Sequence, residues 1–182
     1  MLTIFGRKRL TEQQVAKLFV NGIQSLIDEG FTTVANLVND SPEFVRRPSV
    51  GEEDSGSFTL IVLAGNLQII PQYFEAGRDR RITEHILTKF AELYEIDKMQ
   101  LAQMVGEARK FIKRKNHPNK NVESGMAKAL FARWELNSHQ EEYFRSLSAP
   151  NPIIIQRLRD AMKNFLWNWE FTLSHYRIVH ST

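Results

Sequence analysis

The chain has 182 residues, of which 42% are hydrophobic and 25% are charged, and it contains no cysteine. The length fits one domain, and the composition is that of a globular protein and not of a disordered one. The absence of cysteine excludes disulfides, thiolate zinc sites and a cysteine nucleophile. The net charge of +3 is too small to indicate by itself that the protein binds nucleic acid. We predict a single domain over residues 1–182, with its weakest seam near residues 46–57.

The first helix is predicted to begin at Thr11, because the segment 11–14 reads Thr-Glu-Gln-Gln, a capping box. Apolar residues follow at helical spacing, and Gly30 is expected to end this helix in the left-handed conformation. A shorter helical piece is predicted over residues 33–39. The acidic, glycine- and serine-rich stretch 46–57 is predicted to be an exposed irregular loop.

Residues 58–74 form the most apolar stretch, and two interpretations are open. As a strand, residues 58–64 show no alternation and would need burial on both faces. As a helix, they would be apolar around most of the circumference, as in a helix at the centre of a core. We favour the central helix, ended or kinked by Pro71. Because the run contains Asn66 and Gln68 and is too short to cross a bilayer, we expect no membrane association and a cytoplasmic location.

Further helices are predicted along the rest of the chain. Asp79 and Asp97 are expected to cap two of them, the second ending near residues 116–118, and another helix should pass through Met126 and Trp134. The segment 138–141, Ser-His-Gln-Glu, is interpreted as a second capping box, and the pair Asn151-Pro152 as the start of a long C-terminal helix. The predicted fold class is all-α: a bundle of about seven or eight helices with one acidic irregular loop.

The motifs of common catalytic and metal sites are missing from the sequence. It contains no His-Glu-x-x-His or Glu-x-x-His pair, no glycine-rich phosphate loop and no Gly-x-Ser-x-Gly elbow. We therefore predict no metal, no cofactor and no catalytic residue. An enzyme with a site dispersed along the chain stays the third hypothesis for the function.

A basic stretch over residues 109–120 is the first candidate site. Its cations are expected on the solvent side of a helix end, where they interact favourably with the negative end of the helix dipole. The same cations could bind an anion or a phosphate backbone. The side-chain amides of Asn116, Asn119 and Asn121 could donate hydrogen bonds to ligand oxygens. No aromatic residue is interleaved on the basic face, which argues against stacking of single strands. The candidate anion-binding residues are Arg109, Lys110, Lys113, Arg114, His117 and Lys120.

The second candidate is the C-terminal helix. One stripe, through Leu158, Phe165 and Trp169, is typical of a core face. Trp167, Phe171 and Ile178 are expected on the opposite side, covered either by a second layer of the chain or by a partner. The first hypothesis is therefore a protein-interaction or regulatory module that binds a protein partner or forms a homo-oligomer through this helix. The alternative is an anion- or nucleic-acid-binding protein.

Overall fold

The structure is a computed structural model, and it describes residues 6–180. Over this range the chain forms eight α-helices and one small parallel sheet, so the predicted all-α class is confirmed. In chain order the elements are β1 (Lys8–Thr11), α1 (Glu12–Asn39), α2 (Ser55–Ile69), α3 (Arg78–Leu93), α4 (Lys98–Asn116), α5 (Val122–Arg133), α6 (Glu142–Ser146), α7 (Pro152–Met162), α8 (Trp169–His175) and β2 (Tyr176–Val179). None of the helices between residues 6 and 180 combines the length and the apolar composition that a membrane span requires.

The central element is α2, which packs against α1, α4 and α5. Phe58, Ile61, Leu63 and Leu67 are almost completely buried, although they point to different sides of the helix. A helix that is apolar all around can be stable only when its neighbours surround it. The prediction of a buried helix in this segment is confirmed, and the strand interpretation is wrong.

Helix α1 is longer than predicted because it continues through Gly30 to Asn39 and includes the piece expected at 33–39. Gly30 does not end the helix. A Cβ atom on Gly30 would lie 2.6 Å from Cζ of Phe165, so the glycine allows that ring to pack against the helix backbone. The capping box at Thr11 is present as predicted.

The predicted loop at 46–57 is partly wrong. Glu52–Asp54 form a turn of 3-10 helix, and α2 already begins at Ser55. The irregular part before it is held to α1, because the side chain of Asn39 donates to the carbonyl of Val50 and accepts from its N–H, both at 2.9 Å. Val50 is consequently buried.

Two predicted helix starts are also wrong. Gly77, with φ of 95°, precedes α3, and Asp79 lies inside the first turn, where its carboxylate accepts from the N–H groups of Gly77 and Arg80. Ser138 caps no helix: it lies in a 3-10 turn, Leu136–His139, and donates to the carbonyl of Glu135.

The long C-terminal helix is not formed. Helix α7 ends at Met162, a 3-10 turn follows, and Leu166 is extended, with ψ of 128°, before α8 begins. Asn66 on α2 explains the interruption. Its buried amide donates to the carbonyl of Phe165 at 2.7 Å and accepts from the N–H of Trp167 at 2.8 Å, so these groups bind a side chain and not a helical backbone.

The two ends of the described chain meet in a parallel pair of strands, which the sequence did not predict. Leu10 of β1 lies beside Ile178 of β2. Next to this sheet, at the start of α1, the carboxylate of Glu12 is buried and receives two hydrogen bonds of 2.8 Å from Arg81.

Candidate anion-binding surface

The basic residues of α4 lie away from its buried face: Arg109 is half-buried, and Lys110, Lys113, Arg114 and Lys115 are exposed. Asp97 caps α4 as predicted, accepting a hydrogen bond from the N–H of Gln100 at 2.9 Å. Leu101, Val105 and Ile112 recur at helical spacing and pack toward α2 and α5. The last turn then carries Lys113 and two further cations, which interact favourably with the negative end of the helix dipole.

A close crossing of α4 and α5 joins the cations of both helices. A Cβ atom on Gly125 would lie 2.8 Å from a methyl group of Ile112, so only glycine permits this approach without a shift. The buried amide of Asn116 donates to the carbonyl of Asn121 at 2.7 Å and fixes the turn between the helices. The C-terminal half of α4 therefore lies directly beside α5.

Three cations converge on one aromatic ring at this crossing. The charged groups of Arg114, Lys115 and Arg133 lie 5.4, 5.6 and 5.1 Å from the centroid of the Phe111 ring. The prediction that no aromatic residue is interleaved on the basic face is therefore wrong. Each contact is a cation–π interaction worth about 0.5–1 kcal/mol at an exposed site.

The structure divides the predicted anion-binding residues into separate groups. At about 100° per residue, Lys110 and Arg114 lie on the outer face of α4, whereas Arg109 and Lys113 lie on the flank away from Phe111. His117 and Lys120 are exposed in the turn that follows.

Two residues of α5 complete the surface. Lys128 lines the same cleft as Lys115, and Arg133 approaches Phe111. We call the following five residues the basic cluster: Lys110, Arg114, Lys115, Lys128 and Arg133. The two α5 residues were missed because they are separated from the basic stretch along the chain. Only the α4–α5 crossing brings them to it.

The asparagines of the turn are used to build it. The N–H of Asn121 binds the side-chain oxygen of Asn119, and the side chain of Asn121 caps α5 by accepting from the N–H of Ser124. Asn116 binds the backbone of Asn121. The side-chain N–H groups of Asn116 and Asn121 therefore have structural partners, whereas recognition of ligand oxygens by Asn119 stays a prediction.

Among residues 6–180, no acidic residue forms an ion pair with the basic cluster. Residues 109–133 contain eight Lys and Arg and one acidic residue, Glu123, a net charge of +7 in a chain whose total is +3. Within residues 6–180, none of these eight cations forms an ion pair. Ion pairs are formed elsewhere in that range by Arg47, Arg78, Arg81, Lys89, Lys98, Arg145, Arg157 and Lys163.

The second set of predicted site residues does not share one helix face, because the helix is interrupted. Ile178 is buried in β2, with 8% exposure. The ring of Trp167 packs edge-on to Phe19 and to Trp169, at centroid distances of 5.8 and 6.3 Å. The prediction that Trp167 contacts a different surface from Trp169 is wrong, since both rings contact Phe19.

An apolar groove nevertheless lies beside these residues. Phe171 on α8 is 57% exposed and borders a cavity of about 300 Å³. Its walls come from α1, from the interrupted segment, from α8 and from the start of β2, and they include Leu18, Leu26, Leu166, Trp167 and Tyr176. Of the three predicted residues, Phe171 alone is largely exposed.

In the part of the chain that the structure describes, no three His, Asp or Glu side chains come close enough together to hold a metal ion. Comparison of the chain with protein-family models, with curated proteins and with solved structures finds no significant match.

Proposed function

We propose that this protein binds nucleic acid through the phosphate backbone, using the basic cluster. The observation that carries the proposal is the convergence of Arg114, Lys115 and Arg133 on Phe111 in a region of net charge +7. Like charges at this spacing repel one another, and no carboxylate among residues 6–180 pairs with them. A bound phosphate removes that repulsion.

The surface suits an extended polyanion because its cations come from two helices. Lys110 and Arg114 lie on the outer face of α4, and Lys128 and Arg133 lie on α5. A chain of phosphates can contact several of them in succession and release several counterions. Arginine also gives directional binding, since its planar guanidinium can donate hydrogen bonds to two phosphate oxygens at once.

A nucleic acid fits this surface better than an anionic membrane does. A peripheral membrane site usually combines cations with exposed apolar side chains that enter the bilayer. The most exposed apolar side chain of α4, Met99, lies at the other end of that helix, and Leu147 is exposed beside the turn at residues 148–150. Met99 is 15 residues before Arg114, a separation of about 22 Å along the helix. Lys115 and Lys128 line a cleft, which a flat surface would not enter.

The test is fluorescence anisotropy with a short labelled single-stranded RNA at increasing salt. For five phosphate contacts we expect the logarithm of the binding constant to fall against the logarithm of salt concentration with a slope of about −3.5. The double variant Arg114→Glu/Arg133→Glu should weaken binding and reduce that slope by at least about 1.4.

The matched control is Arg109→Glu/Lys113→Glu, which changes the net charge equally on the opposite flank of α4. It should retain most of the binding if the basic cluster holds the strand. If both double variants lose the same amount of RNA affinity, binding depends on net charge alone, and this would contradict the proposal. Binding to vesicles rich in phosphatidylserine, with none to RNA, would contradict it in favour of a membrane surface.

We propose self-association through the apolar groove as the second candidate function. It is supported by Phe171, which is 57% exposed at the edge of the groove, so that a second copy would offer an equivalent aromatic side chain. Sedimentation at several protein concentrations tests this candidate. A protein that stays monomeric, or whose association is unchanged by Phe171→Ser, would exclude it.

A further inference from the structure

The cleft beside the basic cluster has the size and lining of a small-ligand site. It encloses about 520 Å³ between α5 and the two turns at residues 135–137 and 148–150. Binding sites for small molecules and cofactors usually measure about 300–1,000 Å³. The side chains of Phe131 and Ala132, together with Pro150, contribute apolar surface.

Charged groups surround this apolar surface. The cleft is lined by Lys115, Lys128 and Glu135. Among the described residues, none of the three forms an ion pair, although all three line one cavity. Lys115 also approaches the ring of Phe111, so the cleft is continuous with the basic cluster.

The wall of the cleft is fixed by a buried side chain. The amide of Gln140 donates to the carbonyl of Ala149 at 2.9 Å and to the side-chain oxygen of Asn137 at 3.0 Å, and its oxygen accepts from the N–H of Asn151. Gln140 itself is completely buried. These bonds connect the two turns that form the cleft, so the cavity is preformed and needs no ligand to open it.

We infer that the cleft receives one unstacked base of a single-stranded nucleic acid whose phosphates lie on the basic cluster. The inference rests on the proposed function and makes it more specific. The apolar lining contacts the base, and Lys115 and Lys128 contact the phosphates that flank it. The carboxylate of Glu135 accepts a hydrogen bond from an exocyclic amine, as carboxylates do from the N4 amine of cytosine. A base paired within a duplex cannot enter, so the protein selects single strands.

The experiment compares three labelled strands of equal length: oligocytidine, oligouridine and an abasic strand with the same number of phosphates. We expect the native protein to bind oligocytidine about tenfold more tightly than the abasic strand, the effect of one well-placed base. Ala132→Phe fills the cleft without changing charge and should make the two affinities equal. Ala102→Phe, at an exposed position of α4 away from the cleft, is the matched control and should leave the difference intact.

Glu135→Gln, at an exposed position, gives an independent test that does not depend on the folding of the first variant. It should reduce the preference for oligocytidine over oligouridine and leave binding of the abasic strand unchanged or slightly stronger. Equal binding of all three strands by the native protein, weakened by Arg114→Glu/Arg133→Glu, would overturn the cleft inference and leave the proposed function standing. Absence of binding to any strand at low salt would overturn both.

Discussion

Glu12 provides a direct test of how α1 is held to α3. Its carboxylate is 1% exposed and receives two hydrogen bonds of 2.8 Å from the guanidinium of Arg81, while Arg78 lies 3.5 Å away. We expect Glu12→Ala to destabilise the protein, because it removes the acceptor of both bonds and leaves Arg81 without its ion pair.

The size of the loss follows from the burial of the two partners. Removing one partner of a buried ion pair usually costs about 3–5 kcal/mol. The side chain of Arg81 is 43% exposed, so water can solvate it again in the variant, and we expect the lower end, about 3 kcal/mol. For a chain of this length that is a decrease in Tm of about 6–12 °C. Glu12→Gln should cost less, because its amide oxygen can still accept one hydrogen bond.

Urea denaturation followed by circular dichroism measures the change, with Glu141→Ala at an exposed position as the control. The pH dependence adds a second readout. The hydrogen bonds from Arg81 are the largest cause that holds the pKa of Glu12 below its usual value of 4.5. Because the folded-state pKa is the lower one, the carboxylate stabilises the fold above pH 4.5, and this stabilisation is lost as the pH falls through the folded-state pKa.

The difference in free energy of unfolding between the native protein and Glu12→Gln should therefore become smaller as the pH falls below 4.5. A cost of less than about 1 kcal/mol for Glu12→Ala would show that the buried contact contributes no more than an exposed ion pair does. A difference that stays the same down to acidic pH would contradict the assignment of the pH dependence to this carboxylate.

Two further predictions concern the backbone. Asn66→Ala should lower the free energy of unfolding by about 2–4 kcal/mol, because it leaves the carbonyl of Phe165 and the N–H of Trp167 without their partner. Urea denaturation measures this cost. We also expect the variant to shift Trp167, and an unchanged tryptophan emission spectrum would contradict that. Glu95→Gly should raise the free energy of unfolding by about 0.5–1 kcal/mol, because Glu95 ends α3 with a φ of 52°, which glycine adopts without strain. Glu141→Gly, at a φ of −57°, should give no such gain.

Local patterns were sufficient to predict the fold class and several helix boundaries. The capping box at Thr11 and the cap at Asp97 were predicted because each depends on residues within one helical turn. The buried helix α2 was predicted because residues apolar on all sides need a surrounding core. The basic stretch on α4 was exposed as expected, since its buried stripe can be identified from the sequence.

Features that depend on distant residues were decided only by the tertiary structure. The interruption after α7 is stabilised by Asn66, which is 101 residues before Trp167, so helical spacing in the C-terminal segment alone predicted a continuous helix. Gly30 was interpreted as a helix end because the sequence does not show that the ring of Phe165 packs against it.

Contacts between distant residues also explain why the two predicted sites had different outcomes. The partner-binding set depended on a helix that tertiary contacts interrupt. Ile178 is buried in the strand pair between residues 8–11 and 176–179. The basic cluster gained Lys128 and Arg133 because α4 and α5 cross closely at Gly125. The sequence by itself determined the fold class and the buried faces of helices such as α2 and α4. The tertiary structure decided which charges converge, because convergence depends on how two helices cross and not on the spacing within either one.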